Sequence, residues 1–517
     1  MEALANLKNS SEYLIESAYQ LLIQRVKIGF TFDSAPTTKT DTIAFLQKNE
    51  QLSFGQSTPA TQNTLIIGEN YDALKNLILI EESKQEHKGF DVIYLDLPYN
   101  TERSAVEGNR VADNNEKIAP SKFIYRDKFS RNGWLNMMKE RLVLARQLLA
   151  ENGVIFVSID ESEQAYLKIL MDEIFGEINF VTNFVWQNKN DGSGSDTKNI
   201  RTLTESILMY AKNINLLEIK HEEIDVNDGR YQYKDEYFEE RGLYQLKQLD
   251  TPGLTYVKSL DYPITIDGQT FVPGSDYQKH LDRHNGKHMF NDHRWRWSEQ
   301  KFFENYEKGF IEIKNGKVYA KQYQFVDNNG SKIVRKRKQS NLILDIHGAI
   351  GTKEIKQIFN KDRVFENPKP VGLISYLIEL IPNKNAKILD FFAGSGTTGQ
   401  ATLEINRKDG GHRIFTLVTN NENDIARKIT FERLFRINYG KSTQNERVDW
   451  AAKNKPYEAN LTTFDIEYKN IGITSKEDLD LLIKDVNKML SDFGVRTPAI
   501  TSDKILAKLR SLKALGG

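Results

Sequence analysis

The chain has 517 residues, with 71 Lys+Arg against 71 Asp+Glu, and contains no cysteine. Its length exceeds one ordinary hydrophobic core and predicts roughly two to four structural units, while 39% hydrophobic and 27% charged residues fit a folded chain rather than a disordered one. Without a thiol there can be no disulfide, no Cys-ligated zinc, no thiolate-held iron–sulfur cluster and no thiol nucleophile.

Residues 1–60 read as an N-terminal extension. Leu14, Ala18, Leu21 and Leu22 have helical spacing, and Ser34 to Thr42 reads as a connector. The start lacks a basic segment followed by an apolar core, and no apolar run reaches about 18 residues. A secretory signal and a membrane span are therefore not expected, and the expected compartment is the cytoplasm. From Thr64 strand and helix signals alternate. Thr64 to Gly68 is a short apolar run, Asp72–Ile80 a helix and Asp91 to Leu95 a second run. Trp134, Met138, Leu142, Ala145 and Leu149 recur on one helical face, and Gly153 to Ile159 reads as a buried strand. This alternation predicts an α/β unit with a parallel sheet.

Residues 213–345 interrupt that pattern with dense aromatics, among them Tyr231, Tyr233, Tyr237, Phe238, Trp295 and Trp297. The neutral net charge also hides a contrast. Residues 151–250 carry 10 basic against 20 acidic side chains, whereas residues 281–340 carry 14 against 7 and end in a run from Lys332 to Lys338. A basic block of this kind is either a footprint for a polyanion or a solvated charge run. The strand–helix pattern returns with strands at 387–390 and 413–418. Residues 445–517 read as mostly helical, with Leu479, Leu482, Ile483, Val486 and Leu490 in helical register.

Two turns carry the chemistry. Asp390-Phe391-Phe392-Ala393-Gly394-Ser395-Gly396-Thr397-Thr398 is a strand end, a glycine-rich turn and a helix start. Glycines let backbone approach a ligand, and a helix N-terminus offers free N–H groups, although a tight structural turn would look the same. Neither the P-loop lysine nor the third glycine of a dinucleotide fingerprint follows. A carboxylate after the next strand, Glu422, could take the hydroxyls of a ribose. The second turn is Asp96-Leu97-Pro98-Tyr99, placed where open α/β sheets bind ligands. A stiff backbone, one acceptor and one aromatic ring suit a flat base with an exocyclic amine. Read alone, it is equally a strand-ending turn.

Together and in this order, the two turns resemble those of the beta group of DNA amino-methyltransferases. Trp134 to Leu142, Gly153 to Asp160, Glu173 to Phe180, Pro368 to Ile374 and Leu417 to Glu422 are similar to segments of the modification subunits of type III restriction systems. The sequence departs from the usual Asp-Pro-Pro-Tyr at Leu97, and the Leu203 to Leu208 segment lacks a His that many relatives carry.

The resemblance implies a Rossmann-like α/β methyltransferase sheet at 61–212 and 346–444, using S-adenosylmethionine. It further implies an α+β target-recognition domain inserted at 213–345 and a helical C-terminal region at 445–517. Tyr99 would stack on an adenine flipped out of double-stranded DNA, and Asp96 and the Leu97 carbonyl would accept its N6 hydrogens, with Pro98 fixing the turn. Phe392, Gly394, Ser395, Gly396 and Thr397 would hold the cofactor, Asp390 orient it and Glu422 hold its ribose, with no metal required. Arg294, Arg296, Arg335, Lys336, Arg337 and Lys338 are the expected DNA contacts. A homodimer and a restriction helicase–nuclease partner are expected. A stand-alone adenine or N4-cytosine methyltransferase and a catalytically weakened DNA-binding specificity subunit are the alternatives. Methylation of cytosine carbon 5, which needs a cysteine nucleophile, is excluded by composition.

Overall fold

The structure is a computed structural model, and the residues it describes are 42–84, 89–97, 131–190, 200–225, 227–251, 255–470, 476–495 and 508–511. The expected helix at 14–22 and the 34–42 connector up to residue 41 lie outside them. The chain forms two compact units, one from Met1–Lys220 and Ser340–Gly517, the other from His221–Gln339.

The larger unit is built on a ten-stranded mixed sheet. In chain order its strands are β1 (Thr42–Phe54), β2 (Thr64–Ile67), β3 (Phe90–Asp96), β4 (Leu149–Ile159), β5 (Phe180–Gln187), β6 (Thr204–Ala211), β7 (Leu342–Ile343), β8 (Lys387–Asp390), β9 (Ile414–Thr419) and β10 (Leu461–Asn470). They lie in the order β1-β10-β2-β9-β8-β3-β4-β6-β5-β7. The run from β10 to β4 is parallel throughout, and β1 and β6 pair antiparallel to their neighbours.

Both faces of the central strands are buried, so the strands read as continuous apolar runs. Along β3, Ile93 and Leu95 enter one core while Val92 and Tyr94 enter the other. The first core holds α1 (Asn70–Ser83), α2 (Arg131–Leu148), α3 (Gln164–Phe175) and α8 (Lys476–Asp492). The second holds α4 (Gly348–Phe359), α5 (Val371–Glu379), α6 (Thr397–Asp409) and α7 (Glu432–Tyr439). The helical face read from Trp134 to Ala145 is buried as expected; Leu149 is buried too, but it already belongs to β4.

Two expectations are corrected. Residues 445–517 are not simply helical, because Leu461–Asn470 is a ten-residue strand inserted between β1 and β2. Likewise, residues 42–54 are not an extension outside the domain. They form β1, which pairs with β10 from Thr42 opposite Asn470 to Asn49 opposite Thr463. A strand whose partner is four hundred residues away carries no local signal of its pairing, so neither segment was assigned to the sheet.

The smaller unit runs over residues 221–339 rather than 213–345. It is α+β, with a three-stranded sheet of Tyr244–Gln248, Ile311–Lys314 and Lys317–Tyr323. Asn315 and Gly316 join the last two strands with φ of 51° and 70°, the pair of positive φ values a two-residue hairpin turn needs. Trp295 is core, fully buried with its ring N–H donating to the Tyr262 carbonyl at 2.7 Å. Beside it Asp261 accepts from both Nε and Nη2 of Arg283 at 2.8 Å and lies 2.9 Å from His280 Nδ1. Asp261, His280 and His284 lie close enough to resemble a metal cluster, but the guanidinium already occupies both carboxylate oxygens. Burial raises the Asp261 carboxyl, yet Arg283 and His280 outweigh it and hold the carboxyl below its ordinary range.

Candidate active site

The two chemically loaded turns are far apart in sequence but end neighbouring strands. β8 and β3 pair in parallel, with Ile388 opposite Val92 and Leu389 opposite Ile93. Asp390 and Asp96 therefore stand at the same carboxyl edge, at the centre of the sheet. The chain leaves β8 through α6 towards β9 on one side, and β3 is flanked by β4 on the other. Such a switch point opens the crevice in which α/β sheets bind ligands.

The glycine-rich turn is braced from below. Asp390 accepts the Phe392 N–H at 3.0 Å and the Thr398 hydroxyl at 2.6 Å. Burial pushes its carboxyl up to about 7, and the Asp96 charge adds to the shift. Gly394 and Gly396 have φ of 49° and 80°, where a side chain would strain the backbone. Phe365 packs on Gly394, 3.2 Å from where a Cβ would stand, and the Thr430 hydroxyl donates to the Gly394 carbonyl at 2.6 Å. Phe392 is buried, and Gly396 opens α6 as its N-cap. Asn70 donates to the Phe391 carbonyl at 3.0 Å and in turn accepts from the buried Arg141. Glu422 is exposed just beyond the carboxyl end of β9. This bare backbone, helix start and free carboxylate fit a nucleoside cofactor with a ribose.

Ser395 and Thr397 turn their side chains inward. Their hydroxyls lie 3.2 Å apart, and both accept from Arg433, at 3.0 and 2.8 Å. Arg433 is fully buried and also donates to Gln400 at 2.9 Å, while its Nη2 has no hydrogen-bond partner among the described residues. Burial brings this guanidinium down to about 10. The side chains of Ser395 and Thr397 thus tie the turn to the protein interior. Sequence reading missed Arg433 because a lone Arg in a helix reads as a surface residue.

At the second turn Asp96 is partly exposed and the Leu97 side chain is buried. Pro98 and Tyr99 lie outside the described residues. Asp96 does not stand alone. Lys369 Nζ lies 2.9 Å from Asp96 Oδ1 and 3.2 Å from Glu205 Oε2. Burial works against this ammonium, but the two carboxylates outweigh it and hold the lysine above its ordinary range. Asn188 Nδ2 donates to the other Glu205 oxygen at 2.5 Å, and the Trp186 ring centroid is 5.7 Å from Nζ. In the sequence, Lys369 sits in the Pro368 to Ile374 segment, where the flanking prolines stiffen the backbone on both sides.

The basic residues of the smaller unit divide. Arg296 is exposed beside Trp297, in a cleft shared with Gln248, Gln322 and Asn328, and Lys336 and Lys338 are exposed. Arg335 is corrected: its guanidinium turns inward to the carbonyls of Tyr323 and Val326, at 2.9 and 2.7 Å. Arg337 forms a two-pronged pair with Glu222 at 2.8 Å, and Arg294 donates to the Thr255 carbonyl at 2.8 Å. Of the charged side chains in the run only Arg335 turns inward, while Lys332, Lys336, Arg337 and Lys338 are exposed.

Comparison with known proteins agrees with this geometry. The chain is 31% identical over 423 residues to the type II methyltransferase M.KpnI of Klebsiella pneumoniae, covering 80% of this chain and 91% of that one. It is 29% identical to the StyLTI Mod subunit of a type III restriction-modification enzyme of Salmonella typhimurium and 30% identical to the EcoPI Mod subunit of Escherichia phage P1. Those matches cover 74% and 70% of this chain but span only 57% and 58% of the Mod subunits. Residues 4–87 also match a family described only as an uncharacterised conserved protein. Residues 90–478, which contain both turns and the smaller unit, match the N6/N4 DNA methylase family, and the chain belongs to it.

Proposed function

We propose that the chain is a site-specific DNA methyltransferase that moves a methyl group from S-adenosylmethionine to the N6 amine of adenine, as the modification and recognition subunit of a type III system. The observation that carries this reading is the placement of Asp96 and the glycine-rich turn on adjacent strands at one sheet edge. When bound, the cofactor supplies an electrophilic methyl on a sulfonium. The chain's own residues hold and align. The backbone from Gly394 to Thr397 and the Glu422 carboxylate receive the cofactor, Asp390 orients it by fixing the turn from beneath, and Phe392 walls the site.

An adenine amine is buried in the duplex, so the base must be flipped out to meet Asp96. The Asp96 carboxylate and the Leu97 carbonyl accept the two amine hydrogens and localise the nitrogen lone pair, with Tyr99 stacking on the ring. In-line attack then needs no covalent enzyme intermediate, and alignment of two bound reactants is worth at best about 7–11 kcal/mol. The unit at 221–339 reads the target, with Arg296, Lys336 and Lys338 as its outward cations.

Similarity to subunits of type III restriction-modification enzymes supports a restriction partner, and a homodimer and a cytoplasmic setting are further parts of the proposal. Among the described residues no helix is long and apolar enough to cross a membrane. A second reading, a methyltransferase acting without a nuclease subunit, is favoured by the match to most of M.KpnI. Transfer of labelled methyl to DNA by the wild type, lost in Asp96→Ala, tests the activity. Co-purification with a helicase–nuclease encoded beside it separates the two readings.

A further inference from the structure

The Asp96 site contains more charge than amine recognition requires. Lys369, 7% exposed, bridges carboxylates from two different strands, Asp96 on β3 and Glu205 on β6. Pro368 and Pro370 flank it, Pro370 caps α5 with φ of −64°, and the Val371 N–H donates to Glu354 at 3.0 Å. The lysine is thus delivered from a fixed backbone, and Asn188 fixes Glu205 in the same way.

Charge moves during methyl transfer. The amine is neutral before attack; as its lone pair forms the N–C bond, the C–S pair would leave on sulfur as a neutral thioether, the nitrogen carries the positive charge, and its proton then passes to water. Two carboxylates around one ammonium carry a net charge of −1, which suits that developing cation. Lys369 alone with Asp96 would carry none. Asp96 and Glu205 without the lysine would carry two like charges in a largely buried space, which is costly. The buried carboxyl of Asp390 and the buried, neutral hydroxyl of Tyr94 are titratable groups that also feel the Asp96 charge.

Resting on the methyl-transfer reading, we propose that Lys369 is a positioning residue that holds the Asp96 carboxylate in place, and that Glu205 shares the lysine so that the cluster keeps one net negative charge facing the substrate amine. The lysine also fits a plain strut between strands, and the test separates the two.

The experiment is steady-state methylation of unmodified duplex DNA by wild type, Lys369→Met, Lys369→Arg, Glu205→Gln and the Lys369→Met/Glu205→Gln double variant, with thermal melting of each. Lys369→Met is expected to lose about 100-fold in kcat, the scale of losing one preorganised charged partner, with KM for DNA changed less than about threefold. Lys369→Arg regains roughly tenfold of that loss, and Glu205→Gln lowers kcat about tenfold. The deciding outcome is the double variant. It restores the net charge of −1 and should exceed Lys369→Met in kcat by about tenfold, whereas a strut would be damaged further. A double variant no faster than Lys369→Met overturns the proposal, as does a Lys369→Met enzyme within threefold of wild type. Should Lys369→Met not fold, Glu205→Gln decides: unchanged kcat overturns the proposal, and reduced kcat at unchanged KM supports it. A wild type that methylates no DNA instead overturns the transfer reading and the positioning role with it.

Discussion

Asp390→Asn is the substitution for which the structure gives the clearest arithmetic. The carboxyl is buried, accepts from Phe392 N–H and Thr398 Oγ, and is pushed from 3.8 up to about 7 by burial, with the Asp96 charge adding to it. A group whose folded-state pKa is raised stabilises the fold fully below its unfolded pKa and loses that contribution as pH rises through the folded value. The window is therefore about pH 4 to 7, and a shift of roughly three units corresponds to about 4 kcal/mol at the upper limit. The amide removes the titration and weakens one hydrogen bond, an offset of about 1 kcal/mol that does not vary with pH. Thermal unfolding of cofactor-free wild type and variant at pH 5, 6, 7 and 8 reads the difference. The variant should begin less stable than wild type and gain on it by several degrees across that range. Affinity of the wild type for the positively charged cofactor should rise over the same interval, and that rise should flatten in the variant. Parallel melting curves for the two proteins at all four pH values would refute the reasoning.

Arg433→Met should cost about 2–4 kcal/mol, because hydroxyls and an amide arranged around a buried guanidinium lose their donor, and should weaken cofactor binding more than DNA binding. Calorimetry with each ligand separates the two effects. Asp261→Ala removes the close carboxylate partner of the buried Arg283, leaving it Asp292 at 3.8 Å and the Pro273 carbonyl, and should cost about 3–5 kcal/mol at the upper limit. Hydrogen exchange should show that loss in residues 221–339 while cofactor affinity stays within a factor of two or so. DNA affinity should fall steeply between about 50 and 200 mM salt. Arg296→Ala should lower it, and Arg335→Ala should act mainly through melting temperature, since only the former guanidinium faces solvent.

What the sequence showed and hid follows from the range of the interactions. β3, β4, β8 and β9 are buried on both faces, so their apolar runs stand out locally, and both turns follow from strand-end residues. β10 could not be read that way. Its Leu461, Phe464 and Ile466 are separated by Thr462, Thr463 and Asp465, and its neighbours β1 and β2 come from the other end of the chain. The ion cluster was equally hidden, because Asp96, Glu205 and Lys369 meet only after β3 and β6 flank β4. Arg335 was misjudged for the opposite reason, since a basic run suggests a solvated face until the backbone turns one member inward. Pro98 and Tyr99 rest on the motif alone.

The most direct test of the central claim is sequencing of modified bases in DNA exposed to the wild-type protein, to Asp96→Ala, and to no protein, each with S-adenosylmethionine. The account predicts N6-methyladenine at one recurring sequence in the wild-type sample alone. N4-methylcytosine there would correct the substrate, and the same modification with Asp96→Ala, or none with the folded wild type, would contradict the account.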